Sequence, residues 1–134
     1  MGISRGSLRR CPTPEEPREG EGTAPSGDSA VKKIYQKLVR DRIPEIITEA
    51  GKDFSVAQVR GERLQGYAMK KLQEEVQEFI ENPCAEEAAD IMEIFHFICA
   101  REGIRDSAIM AATTTKRIER GAFEMGYILE WVAE

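Results

Sequence analysis

Apolar positions recur at helical spacing from about residue 62 to residue 120 and predict three helices in succession. The first, roughly 62–81, runs into the break at Asn82-Pro83, and the second, roughly 84–102, ends before Gly103. The third, roughly 106–120, follows Arg105 with Asp106 or Ser107 as cap and stops at Gly121. Upstream, Asp41 is placed to cap a short helix through Ile43, Pro44, Ile46 and Ile47. Proline is tolerated in a first turn and Gly51 suits the end. Residues 54–59 alternate apolar and polar side chains and predict a short extended piece. The apolar stretch 127–132 is too short for its periodicity to choose between strand and helix. The fold class expected is all-α, a helical hairpin within a bundle.

Residues 1–30 break this pattern. They hold four of the six prolines and five of the eleven glycines, and strong apolar residues are almost absent. Such a segment buries too little surface to offset its ordering entropy and is expected to be disordered. Val31 stands where an alternative start codon would be read as an internal residue, which makes 1–30 a candidate misassigned extension. The working domain is expected to be 31–134.

A chain of 134 residues has room for one domain. It contains no apolar run of about 18 residues and no apolar core of a signal peptide. Cys11, Cys84 and Cys99 are odd in number and lack Cys-x-x-Cys spacing, so reduced thiols in a cytoplasmic protein are expected. A net charge of −5 argues against nonspecific nucleic-acid binding. It is compatible with a polyphosphate ligand where bound metal reverses the local sign.

The acids are the informative feature. Residues 74–93 carry eight of them, and no Lys, Arg or His occurs from Leu72 through Phe95. A solvated acidic face is the plain reading of such a run, but angles oppose it. At ~100° per residue, with Leu64 at zero, Ala68, Leu72 and Phe79 fall at about 40–80°. Glu75 then lies at about 20°, inside this apolar stripe, and Glu78 lies at its edge. On the next helix Glu87 shares the stripe of Ile91, Ile94 and Ile98, with Asp90 about 60° to one side. Glu86, Glu93 and His96 fall on the opposite, wet face.

An antiparallel hairpin turning at Asn82 and Pro83 faces Glu78 with Glu87 and Glu75 with Asp90. Four carboxylates meeting in a partly apolar groove cannot all stay ionised and unpaired. No base stands nearby in the sequence, so protonation, a distant arginine such as Arg101, or a metal must relieve them. Mg²⁺, with Mn²⁺ as a substitute, suits oxygen ligands and phosphate substrates.

Glu74-Glu75-Val76-Gln77-Glu78 followed by Glu87-Ala88-Ala89-Asp90 resembles the E-E-x-x-E … E-x-x-D signature of the MazG superfamily. These are all-α nucleoside triphosphate pyrophosphohydrolases. Lys37-Leu38-Val39-Arg40-Asp41-Arg42-Ile43-Pro44-Glu45-Ile46-Ile47 is similar to the opening of a MazG-like subgroup described as house-cleaning pyrophosphatases. Arg120-Gly121-Ala122-Phe123 resembles that subgroup's closing turn, with alanine for its second glycine. The likeness spans about 32–128.

It implies Mg²⁺-dependent hydrolysis of a nucleoside triphosphate, standard or non-standard in its base, to monophosphate and pyrophosphate. The second helix is nearly apolar around most of its circumference, which predicts burial in a homodimer or higher homo-oligomer. Glu75, Glu78, Glu87 and Asp90 would hold the metal, with Glu74, Glu75 and Glu78 in the catalytic set and Glu74 a candidate for orienting water. Lys37, Arg40, Lys116 and Arg120 would bind phosphates. Only eight residues separate Glu78 from Glu87, fewer than in many superfamily members. Substrate preference therefore does not transfer from any relative. A phosphoribosyl-nucleotide pyrophosphohydrolase and a catalytically idle helical interaction module are the alternatives.

Other groups have plainer readings. Cations at the end of the third helix follow from the helix dipole alone, and Asp41 is equally a cap. Glu93 and His96 have the spacing of a di-iron bundle ligand pair, but in a single copy on the wet face. Met92, Phe95 and Phe97 read as core or subunit interface. Phe123, Tyr127 and Trp131 read as an apolar tail docked on the core.

Overall fold

The computed structural model describes residues 32–134, so the reading of residues 1–30 lies outside the described part. Four helices occur among the described residues and no strand: α1 (Ile43–Glu49), α2 (Gly61–Glu81), α3 (Ala85–Arg101) and α4 (Asp106–Arg120). None is long and apolar enough to cross a membrane. The chain divides into two units, the first ending at Ile98 and the second beginning at Cys99.

In the first unit, residues 32–42 lead into α1, with Gln36 at a left-handed φ of 47° just before Lys37. Pro44 occupies the first turn of α1, where its missing N–H costs nothing. The N-cap is Arg42 rather than Asp41, and no side chain caps the helix. Arg42 instead donates twice to Glu45, both at 3.1 Å, and so holds an acid in the first turn, where the helix dipole favours it. The far end closes with paired bonds, Gly51 N–H to Thr48 O and Lys52 N–H to Ile47 O, around Gly51 at φ 77°. This is a left-handed cap that a β-carbon would strain. The expected extended piece at 54–59 forms no strand, because no partner strand exists among the described residues to satisfy its backbone.

α2 and α3 are joined through Asn82, Pro83 and Cys84, and the Ala88 N–H already bonds to Cys84 O as the second helix begins. Both helices lie within one residue of their predicted bounds. The core lies between them: Ala68 of α2 is fully buried against Ile94 and Ile98 of α3, and Leu38 and Leu72 pack on this cluster. Glu86, Glu93 and His96 are exposed, as the angular assignment required. Met92 and Phe97 are also exposed and Phe95 is half-buried, so none of the three is in the buried cluster among the described residues. Of the three cysteines expected as reduced thiols, Cys99 is a buried free thiol. Cys11 lies outside the described residues.

α3 runs on into the second unit and closes around Gly103 (φ 75°), with Ile104 N–H on Cys99 O and Gly103 N–H on Ala100 O. The N-cap of α4 is Arg105, again without a side-chain bond, so neither Asp106 nor Ser107 takes the expected capping role. Asp106 stands instead in the first turn. No residue of α4 is buried. The segment beyond Arg120 forms neither helix nor strand. Phe123, Tyr127 and Trp131 are 96%, 83% and 77% exposed. Gly121 and Gly126 both stand at positive φ, a backbone conformation that glycine adopts without strain.

Candidate metal centre

Ligand oxygens of Glu75, Glu87 and Asp90 lie within 4.8 Å of one another. α2 supplies Glu75 from the middle of its apolar stripe. α3 supplies Glu87 from its first turn, where the helix dipole favours an acid, and Asp90 one turn later. Glu75 is 5% and Glu87 4% exposed, the only buried charged residues among those described, and Asp90 is half-buried. Glu78, predicted to face Glu87, is half-buried and stands outside this group of three. It lies at the edge of the stripe, about 60° around the helix from Glu75.

Cations reach the cluster from two directions. Lys71, one turn before Glu75, places Nζ 2.9 Å from Glu75 Oε2 and 3.3 Å from Glu74 Oε1. Its side chain is only 17% exposed. Arg40 donates from Nη2 to Asp90 Oδ1 at 2.7 Å, and Lys37 donates from Nζ to Glu74 Oε2 at 2.9 Å. The Lys37 ammonium also lies 5.5 Å from the centre of the Tyr35 ring, within cation–π reach. An alternating row therefore runs inward from the opening segment: Lys37, Glu74, Lys71, Glu75.

The row sets two protonation equilibria. Burial would raise the Glu74 carboxyl, but the hydrogen bond from Lys37 and the charges of Lys71 and Lys37 outweigh it and hold the group below its usual range. Burial would likewise lower the Lys71 ammonium, yet the bond to Glu75 and the charges of Glu75 and Glu74 raise it above the ordinary value. Both oxygens of Glu74 are thus held by ammonium groups, which makes it a weak base.

On Glu75 one oxygen is left over. Glu75 Oε1 is buried and has no hydrogen-bond partner, although Oε2 of the same carboxylate is bonded to Lys71. An unsatisfied buried carboxylate oxygen costs roughly 1–3 kcal/mol or more, and an ion shared with neighbouring carboxylates removes that cost. Three carboxylates at this separation form the hard oxygen set that Mg²⁺ or Mn²⁺ takes, together with water.

The expectation that no base stands near the acids is corrected by Lys71. It sits one residue outside the uncharged-or-acidic run, and the same angular arithmetic puts it about 40° from Glu75 on the same face. Its i, i+4 spacing was the available signal. Arg40 and Lys37 come to the rim of the cluster, where they pair with Asp90 and Glu74. Lys116 and Arg120, one turn apart on α4, are exposed and belong to the second unit, as does the exposed Arg101. No protein-family model matches this chain, and neither a characterised protein nor a solved structure matches it significantly.

Proposed function

We propose that this chain is a Mg²⁺-dependent hydrolase that converts a nucleoside triphosphate to its monophosphate and pyrophosphate. The observation that carries the reading is Glu75 Oε1, buried without a partner beside two further carboxylates. The signature and opening motifs described above supply the reaction class. Glu75, Glu87 and Asp90 hold the cation, and Glu78 stands one turn along α2 to join them. A bound divalent cation supplies Lewis-acid polarisation of phosphate oxygens and lowers the pKa of a nearby water.

The chain's own residues do the rest. Arg40 and Lys37 are exposed at the rim and exchange their carboxylate partners for phosphate oxygens, which accept charge-assisted hydrogen bonds equally well. Glu74 organises these cations. The orienting of water falls to a carboxylate oxygen that the cation leaves free. The exposed apolar side chains of α3 and α4, Met92, Phe97, Met110 and Ile118 among them, fit a homo-oligomer of a cytoplasmic enzyme.

Hydrolysis of a nucleotide panel with Mg²⁺ in ¹⁸O-labelled water tests the proposal. Label in the monophosphate supports attack at the α-phosphorus, and label in pyrophosphate means attack at β. Label in free phosphate, or metal binding without turnover of any nucleotide, overturns the assignment and leaves a phosphatase or an interaction module.

A further inference from the structure

The two oxygens of Glu75 are treated differently by the fold. Oε2 accepts from Lys71 Nζ at 2.9 Å, while Oε1 is buried and bonded to nothing. Lys71 is itself nearly enclosed, and it is anchored on its other side by Glu74 Oε1 at 3.3 Å. Glu74 is in turn fixed by Lys37 at 2.9 Å. The ammonium therefore has little freedom to leave Glu75. A carboxylate with one oxygen tied in this way can rotate neither to chelate with both oxygens nor to turn away.

We propose that Lys71 is a positioning residue that holds Glu75 as a one-oxygen ligand, presenting Oε1 to a divalent cation shared with Glu87 and Asp90. The inference rests on the metal reading of the site. Outer-shell groups that hydrogen-bond to ligating carboxylates fix their orientation, and losing one typically costs about 10–100-fold in metal affinity. Arg40 makes a similar contact with Asp90 Oδ1 at 2.7 Å, but its side chain is 54% exposed and water can replace it. Lys71 sits where water does not reach as freely.

The sign of the effect separates this role from a bystander's. A lysine that merely adds positive charge beside a cation site weakens binding by repulsion, so removing it tightens binding. A lysine that positions a ligand strengthens binding, so removing it weakens binding. Mn²⁺ titrated calorimetrically into the full chain, with the electron paramagnetic resonance spectrum of the bound ion as a second readout, measures this without any turnover. Lys71→Met keeps the aliphatic stem and is expected to bind Mn²⁺ about 10-fold or more weakly, with an altered spectrum. Lys71→Arg keeps a donor and is expected to recover most of the affinity. Lys70→Met removes the same charge from the exposed neighbouring position and is expected not to weaken binding.

Tighter binding by Lys71→Met, or equal weakening by Lys70→Met, overturns the positioning role and leaves the metal reading intact. Absence of Mn²⁺ binding by the unaltered protein overturns both. If Lys71→Met does not fold, Lys71→Arg decides: loss of affinity and spectrum in that folded variant counts against a role that any donor at this position fills.

Discussion

Arg40 and Asp90 are fifty residues apart in the chain and 2.7 Å apart in space. This contact ties the opening segment to the edge acid of α3 and sets a guanidinium beside the carboxylate cluster. Because Arg40 is largely exposed, the pair contributes little to stability, about 0–1 kcal/mol. Arg40→Ala is expected to leave the melting temperature nearly unchanged and to weaken binding of a triphosphate analogue more than of a monophosphate. Equal effects on both ligands would remove Arg40 from phosphate recognition.

Glu75→Ala is expected to abolish both metal binding and metal-dependent turnover, and to destabilise the metal-free protein by about 1–3 kcal/mol, because it strips Lys71 of its inner partner. Glu86→Ala and Glu93→Ala, on the exposed face, are expected to change neither activity nor stability measurably. Denaturant melts with and without Mn²⁺ check this. An inactive Glu93→Ala beside an active Glu75→Ala would invert the assignment of faces.

The pH dependence of stability has a definite sign. Glu74 is depressed below its ordinary 4.5, so its contribution is complete above that pH and is lost as pH falls through the lower folded value. Lys71 is raised above 10.5, so its contribution is complete below that pH and is lost as pH rises through the higher folded value. Thermal melts of metal-free protein should therefore show no loss from this row between about pH 5 and pH 10. Glu74→Gln should flatten the acid limb relative to the unaltered protein. A fall in stability centred near neutrality that Glu74→Gln abolishes would contradict these directions.

Ala68 is fully buried where α2 meets α3. A larger side chain there must separate the helices that hold Glu75 on one side and Glu87 and Asp90 on the other. Ala68→Leu is expected to cost about 1–3 kcal/mol and to loosen metal binding with it. A variant that loses stability yet keeps full Mn²⁺ affinity would show that the cluster tolerates a wider seam.

Trp131 is the chain's single tryptophan and is 77% exposed. Covering it in the proposed homo-oligomer would shift its fluorescence to the blue as protein concentration rises, in step with the mass seen by sedimentation. A monomer at every concentration, with the emission of a solvated indole throughout, would set the oligomer aside.

Helical periodicity in the sequence determined the three long helices, their bounds and which acids turn inward. These properties are local: a 3.6-residue repeat assigns each side chain to a face, and glycines at 51, 103 and 121 mark ends that only a left-handed or freely turning residue closes well. The inward position of Glu75 and Glu87 was legible for that reason, and so was the outward position of Glu86 and Glu93. Capping was not. Arg42 and Arg105 take the N-cap positions, and neither end carries a side-chain cap bond. Tertiary structure alone decided what the carboxylates touch. Pairing Arg40 with Asp90 and Lys37 with Glu74 requires the opening segment to cross the hairpin, and no periodicity encodes where a loop comes to rest. Glu78 was set outside the closest group for a related reason. The facing of two helices depends on how their surfaces interlock, whereas the sequence specifies only the stripe each one offers.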